Sequence, residues 1–315
     1  MTLMEIFASP LLTASLLGLF VVGYLVLAGS DVGLGMLMPY VTRTPEQRRQ
    51  VVAAIAPYFL ASEVWLVAAV GVMAGMVPDV EHVVIATLWP VLVLLLAAWL
   101  LRDAGLWFRA RVDSSGWRSA CDTAIVAGSW LLATSWGVAL AGLLAGELTL
   151  SPFTVVCTAA VVSLFALRGA AFGAERLVGA TEAESADVAA RATRALARVA
   201  LATVLLTVAV AVGLGVLPAV RVEAAVLLTA VAVAALAATT GPTGPMLSRH
   251  TSAVAIAVPG LIVALSVDLS VAQLPGMTGV FVWSMLLPTV PVMLLGQVWL
   301  YRMTRRPAAE PTFFA

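Results

Sequence analysis

Nine apolar stretches of roughly 20 residues or more dominate the chain, at about 10–39, 51–77, 83–101, 120–146, 152–174, 197–217, 223–241, 250–272 and 277–301. About 20 such residues suffice for a helix to cross a bilayer, and a spanning backbone must satisfy its own polar groups. The pattern therefore predicts an all-α polytopic membrane protein with about nine transmembrane helices. Charged residues make up only 11% of the chain, against about 25% in water-soluble domains. The first run extends well past signal-peptide length, so the N-terminus is expected to be retained as a helix. Its length calls for a tilt or a kink, for which Gly29, Gly33 and Gly35 supply places.

Arginine sets the expected orientation, because the chain has no lysine. The connections after the first, third, fifth and seventh spans and the tail after the ninth hold 16 of the 17 arginines, and Arg221 alone falls on the other side. This places the N-terminus outside and the C-terminus in the cytoplasm. One span more or fewer would reverse the tail arginines, so the parity supports nine. The longest connection, 175–196, reads as a solvated cytoplasmic helix whose Glu182, Glu184, Asp187, Arg191 and Arg194 allow ion pairs, and not as a domain. The tail after Arg306 is expected to be frayed. A weak internal echo relates residues 101–109 to 167–176.

Ionisable groups inside spans are costly and usually face a protein interior or a water-filled path. Here they are Asp31, Glu63, Asp122, and Arg102 with Asp103 near the end of the third span. They read either as a proton route through intervening waters or as interhelical pairs, with Arg102 snorkelling to the interface. Counting inward from the 40–50 connection at about 1.5 Å per residue places Leu60 level with Asp31, and Glu63 level with Ala28. Asp31 and Glu63 are then about one helical turn apart on a shared seam. Trp107, Trp117 and Trp299 fit an interfacial belt, whereas Trp65, Trp130 and Trp136 lie deeper, where they pack a core or line a cavity. Cys121 and Cys157 read as small core residues, and His82 and His250 fall at helix ends. With so few axial ligands the chain is a poor haem carrier. Nucleotide-binding and zinc-hydrolase motifs are absent.

Four blocks, in order, resemble a known family: Gly29-x-Asp31-x-Gly33-x-Gly35-Met36-Leu37; the segment ending Glu63-Val64-Trp65-Leu66; Leu101-Arg102 through Phe108-Arg109 and Trp117-Arg118 to Asp122 and Gly128-Ser129; and Pro291-x5-Gln297-x-Trp299-x-Tyr301. This order is similar to subunit II of bd-type quinol oxidases, most strongly over 18–142. The resemblance implies two four-helix bundles plus one peripheral helix: 1–146, 147–272 and 273–306, followed by a cytoplasmic tail at 307–315. It further implies a heterodimer with a homologous subunit I that carries the haems, b and d, and the quinol site. Subunit II would hold no redox centre, no metal and no catalytic residue, and in some members it offers a proton route, an oxygen passage or a structural quinone. The chain departs from the family pattern at Ala28 and Leu60, where an acid is usual.

The expectation is thus a non-catalytic subunit of a quinol:O2 oxidoreductase in the bacterial cell membrane. Asp31, Glu63, Ser30 and Ser62 are its candidate proton route, Trp65 lines its cavity or O2 passage, and Arg102, Arg109 and Asp122 form structural charge pairs. A secondary transporter or permease and a degenerate assembly-only paralogue are the alternatives, the latter suggested by the two missing acids.

Overall fold

The structure, a computed structural model, describes residues 10–178, 184–216, 221–241, 244–266, 276–304 and 313. These residues form α1 Pro10–Val41, α2 Pro45–Met76, α3 Pro78–Phe108, α4 Ser115–Ala145, α5 Pro152–Arg176, α6 Glu184–Leu214, α7 Val222–Thr240, α8 Pro245–Ser266 and α9 Gly276–Met303. Among the described residues there is no strand, and all nine helices are long and apolar enough to cross a membrane.

Local chemistry marks the helix ends. Proline occupies the first turn of α2, α3 and α5, where its missing N–H costs nothing. At the start of α2, the Thr44 hydroxyl accepts from Gln47 N at 3.2 Å while Gln47 Oε1 accepts from Thr44 N at 3.3 Å. Gly146, at φ +76°, ends α4 in the left-handed conformation that glycine adopts without strain.

Helix α1 is the hub, packing against α2, α4, α5 and α8. α1 to α4 close a ring in which each packs on the next and α4 returns to α1, and α5 to α8 close a second ring. The two rings meet along α1 and α5. A Cβ on Gly33 would overlap the Phe165 carbonyl oxygen, and one on Gly169 would overlap the Gly33 backbone. The two helices therefore approach backbone to backbone, the contact by which small residues join membrane helices. The expectation for the α1 glycines changes accordingly. α1 runs unbroken, and Gly29, Gly33 and Gly35 make room for Arg168 and Ile256, for α5, and for Ser129 respectively.

The 175–196 segment also differs from expectation. α5 reaches Arg176, and α6 begins at Glu184 as the first turns of the sixth spanning helix. Ser185, Ala186, Ala189 and Thr193 are buried, and Ala186 and Ala189 join a core cluster with Leu37, Phe172 and Leu177. Small alanines let this face pack while Arg191 and Arg194 stay on the other side, so the segment is half-buried and not freely solvated. Glu182 lies outside the described residues. The internal echo falls on α3 and α5, helices of unequal rank in their rings. Of the tail, only Phe313 is described, its ring 5.6 Å from that of Trp107. The frayed-tail expectation otherwise concerns residues outside those described.

α9 lies against α2, where Gln297 Nε2 donates to Ala61 O at 2.8 Å. At its end, Tyr301 donates to Glu175 Oε1 at 2.5 Å and accepts from Arg249 Nη1 at 2.6 Å, and Arg249 pairs with Glu175 at 2.9 Å. Arg176 is buried with its guanidinium 4.1 Å from the Tyr301 ring centroid.

Gly33→Leu and Gly169→Leu should each destabilise the protein by about 3 kcal/mol or abolish its accumulation, since neither backbone can retreat from the other. Gly71→Ala, where a Cβ meets nothing within 4 Å, should cost nothing. Thermal unfolding in detergent distinguishes these outcomes.

Candidate functional site

The sequence places a carboxylate or guanidinium on each of α1, α2 and α3, and the packing of those helices brings them together. Asp31 is fully buried, and its Oδ2 accepts from Arg102 Nη2 at 2.7 Å. Its Oδ1 accepts from Val32 N at 2.8 Å. Arg102 is itself buried, and its Nη1 reaches Asp103 Oδ1 at 3.4 Å. The guanidinium thus bridges two carboxyl groups inside the protein instead of snorkelling to the interface. Burial strengthens the attraction within such a pair but makes each member costly without the other.

From α2, Ser62 and Glu63 face this bridge. The Ser62 hydroxyl has one proton to share between Phe59 O at 2.9 Å and Asp31 Oδ2 at 3.4 Å. Glu63 is half-buried, and its Oε1 accepts from Trp99 Nε1 at 2.6 Å, one turn along α3 from Asp103. Tyr24 of α1, buried nearby, accepts a hydrogen bond from Trp136 Nε1 at 3.3 Å. One polar seam therefore runs from Asp31 through Arg102 and Asp103 to Glu63 and Trp99.

Several expectations shift. Ser62, and not Leu60, stands opposite Asp31. Leu60 is 46% exposed on the outer face of α2, because two positions along a helix turn a side chain by about 200°. Ser30 lies outside the seam, its hydroxyl donating to Val26 O one turn back. Trp65 does not line the cavity. Its indole fills the space left by Gly23 and packs edge-on against Phe20 at 6.0 Å, and its Nε1 is buried without a hydrogen-bond partner. The cavity inside the first ring, about 180 Å³, is instead lined by apolar side chains including Leu17, Val21, Leu66, Leu88 and Trp136. Trp130 lies at mid-helix depth on α4 but is 39% exposed instead of packed in the core, its Nε1 donating to Met36 O at 3.3 Å.

Arg109 and Asp122 form a second site, separate from the seam. Arg109 Nε donates to Asp122 Oδ1 at 2.6 Å, tying α4 to the residue that ends α3, and Arg48 approaches Asp122 Oδ2 at 3.7 Å. Cys121 and Cys157 are buried free thiols. His82 and His250 are both exposed, a poor setting for axial haem ligation, and among the described residues no group of three or more His, Cys, Asp or Glu could hold a metal.

Trp99 is a participant that the sequence reading did not single out, and Asp103, read there beside Arg102, was not assigned to the proton route. Their signal was present in the spacing, since positions 99, 102 and 103 share one helical face.

Arg102→Met alone should cost about 3–5 kcal/mol by leaving Asp31 buried without a counter-charge, whereas Arg102→Met combined with Asp31→Leu should recover most of that loss. Unfolding of the single and double variants checks the coupling.

Residues 9–304 match the family model for cytochrome bd terminal oxidase subunit II. The chain is 33% identical over 166 residues to a probable cytochrome oxidase subunit 2 of Haemophilus influenzae, covering 47% of this chain and 44% of the relative. It is 31% identical over 140 residues to the cytochrome bd-I ubiquinol oxidase subunit 2 of Escherichia coli K12, covering 44% and 36%. The matched stretches thus span less than half the length of these curated relatives. In fold, it is similar to a chain of the bd oxidase structure from Geobacillus thermodenitrificans, with a TM-score of 0.65 at 15% identity over 92% of this chain and 98% of that one. Nine apolar spans, a seam of buried charge on α1 to α3 and a family match over nearly the whole length agree: this multi-pass membrane protein belongs to the cytochrome bd terminal oxidase subunit II family.

Proposed function

We propose that the chain works as the second subunit of a quinol:O2 oxidoreductase in the bacterial cell membrane, where quinol oxidation is coupled to reduction of O2 to water. Its partner is a haem-bearing subunit I that carries haems b and d. The chain itself supports that partner and supplies a proton route through the α1–α3 seam, with the N-terminus outside and the C-terminus in the cytoplasm. Its helices divide as a first bundle to residue 146, a second to 272 and a last helix at 273–306. The family match over residues 9–304 carries this reading. The buried seam supports the proton route, because ionisable groups gathered at membrane depth are kept for transfer or pairing. The apolar cavity in the first ring has the chemistry for O2 passage or for an isoprenoid chain of a structural quinone.

The assembly-only reading has one observation in its favour. Ala28 sits in an apolar cluster and Leu60 faces outward, so neither contributes a charge to the seam. Isolating the chain from its native membrane through an affinity tag tests both readings. The expected preparation contains a second subunit, shows the visible bands of haems b and d, and oxidises quinol with O2 consumption. A coloured but inactive complex would leave only the assembly role, and a colourless single chain would overturn the oxidase reading. A reporter fused after Arg306 should report a cytoplasmic C-terminus.

A further inference from the structure

On α3, Trp99, Arg102 and Asp103 share one face, and all three reach the seam between α1 and α2. Trp99 Nε1 holds Glu63 Oε1 at 2.6 Å, Arg102 Nη2 holds Asp31 Oδ2 at 2.7 Å, and Arg102 Nη1 lies 3.4 Å from Asp103 Oδ1. Trp99 and Asp103 stand one turn apart on this face, so the Glu63 carboxyl held by Trp99 and the Asp103 carboxyl beside Arg102 meet at one end of the seam. An ionised carboxylate has no donor, so a hydrogen bond between two carboxyl groups holds one proton.

Charge counting calls for such a shared proton here. Among the described residues, three carboxyl groups, Asp31, Glu63 and Asp103, gather along the face that carries the Arg102 guanidinium, and the Tyr24 hydroxyl is buried near them. Asp31 is matched by Arg102 and accepts two further bonds, from Val32 N and Ser62 Oγ. Ionising both Glu63 and Asp103 would leave two uncompensated charges inside the membrane region, and one shared proton leaves one.

Exposure then separates the acids by role. The Asp31 side chain is sealed at 0% and that of Asp103 is 20% exposed. Arg102 Nε is buried without a hydrogen-bond partner, a donor for a water inside the cluster.

We propose that Glu63 and Asp103 form one proton-sharing carboxyl pair, and that this pair, and not Asp31, is the group that loads and passes protons. The inference rests on the proton-route reading above. A hydronium ion at the exposed side of Asp103 gives its proton to the Asp103 carboxylate oxygen and becomes water, while Glu63 still holds the shared one. Glu63 then gives up a proton to the next water, the pair returns to one proton, and no electron moves. Asp31 stays ionised as the counter-charge that fixes Arg102, and Trp99 is a positioning residue that orients Glu63.

The test uses the assembled oxidase complex, with its haem spectrum as the control for assembly, and records infrared difference spectra and proton uptake during turnover. A protonated-carboxyl band is expected in the unsubstituted protein. Asp103→Asn and Glu63→Gln should each remove that band and slow uptake by roughly a hundredfold, and Asp103→Glu should restore both. Asp31→Asn should lower the yield of complex but keep the band. Should Asp103→Asn fail to assemble, Trp99→Phe provides a second reading, since loss of the donor to Glu63 should shift the band. The sharing is overturned if Asp103→Asn keeps the band and the uptake rate while Glu63→Gln loses them, or if the band does not move in Trp99→Phe. Unchanged band and uptake in both carboxyl variants would instead remove the proton-route reading itself.

Discussion

The backbone contact between α1 and α5 at Gly33 and Gly169 fixes the rotation of the helix around which everything else is arranged. A helix turns about 100° per residue, so with Gly33 against α5, Asp31 points some 200° away, into the first ring. Gly35 points the same way and meets Ser129 of α4, whereas Gly29 shares the Gly33 side and meets Arg168 of α5. One steric requirement therefore both joins the two rings and aims the α1 carboxylate at Arg102. Without hydrophobic drive between helices in lipid, such close packing and the polar contacts it enforces carry much of the association.

Besides Arg109, three more arginines are buried among the described residues, and they are stabilised in three different ways. Arg102 is matched by carboxyl groups. Arg168 donates to Val26 O at 3.3 Å and Arg249 O at 2.8 Å, linking α1, α5 and α8 mainly through backbone acceptors. Arg176 donates to Thr304 O at 2.8 Å and stacks near Tyr301, so it anchors the end of α9. The planar fork of arginine suits all three settings, which a lysine would not satisfy. Arginines that count as one-sided positive charge in the sequence are thus, at these positions, interior fasteners.

The nine spans were legible because about 20 apolar residues have few other uses. The missed boundary at α6 has a physical cause. An alanine-rich amphipathic turn reads as solvated from its charges, yet Ala186 and Ala189 leave it flat enough to pack. The seam was legible in membership, since Asp31, Glu63 and Arg102 are rare residues in such runs. Its register was not, because a depth count along two helices ignores their relative rotation. Trp65 fails for a similar reason: an indole beside a glycine on the neighbouring helix becomes packing, whatever its distance from an acid.

Rotation also changes the meaning of the two positions where the related pattern has further acids. Ala28 is buried among Tyr24, Leu25 and Val32, and Leu60 is turned to the exterior. Neither side chain carries a group that could bond to the Asp31–Arg102 bridge, whose partners are Val32 N, Ser62 Oγ and Asp103. The seam holds three carboxyl groups, one from each of its helices, because Asp103 reaches in from α3. A single guanidinium can neutralise only one of them outright. Under the proposed sharing, the charge of this site is set by the proton held between the other two, and no residue at 28 or 60 takes part.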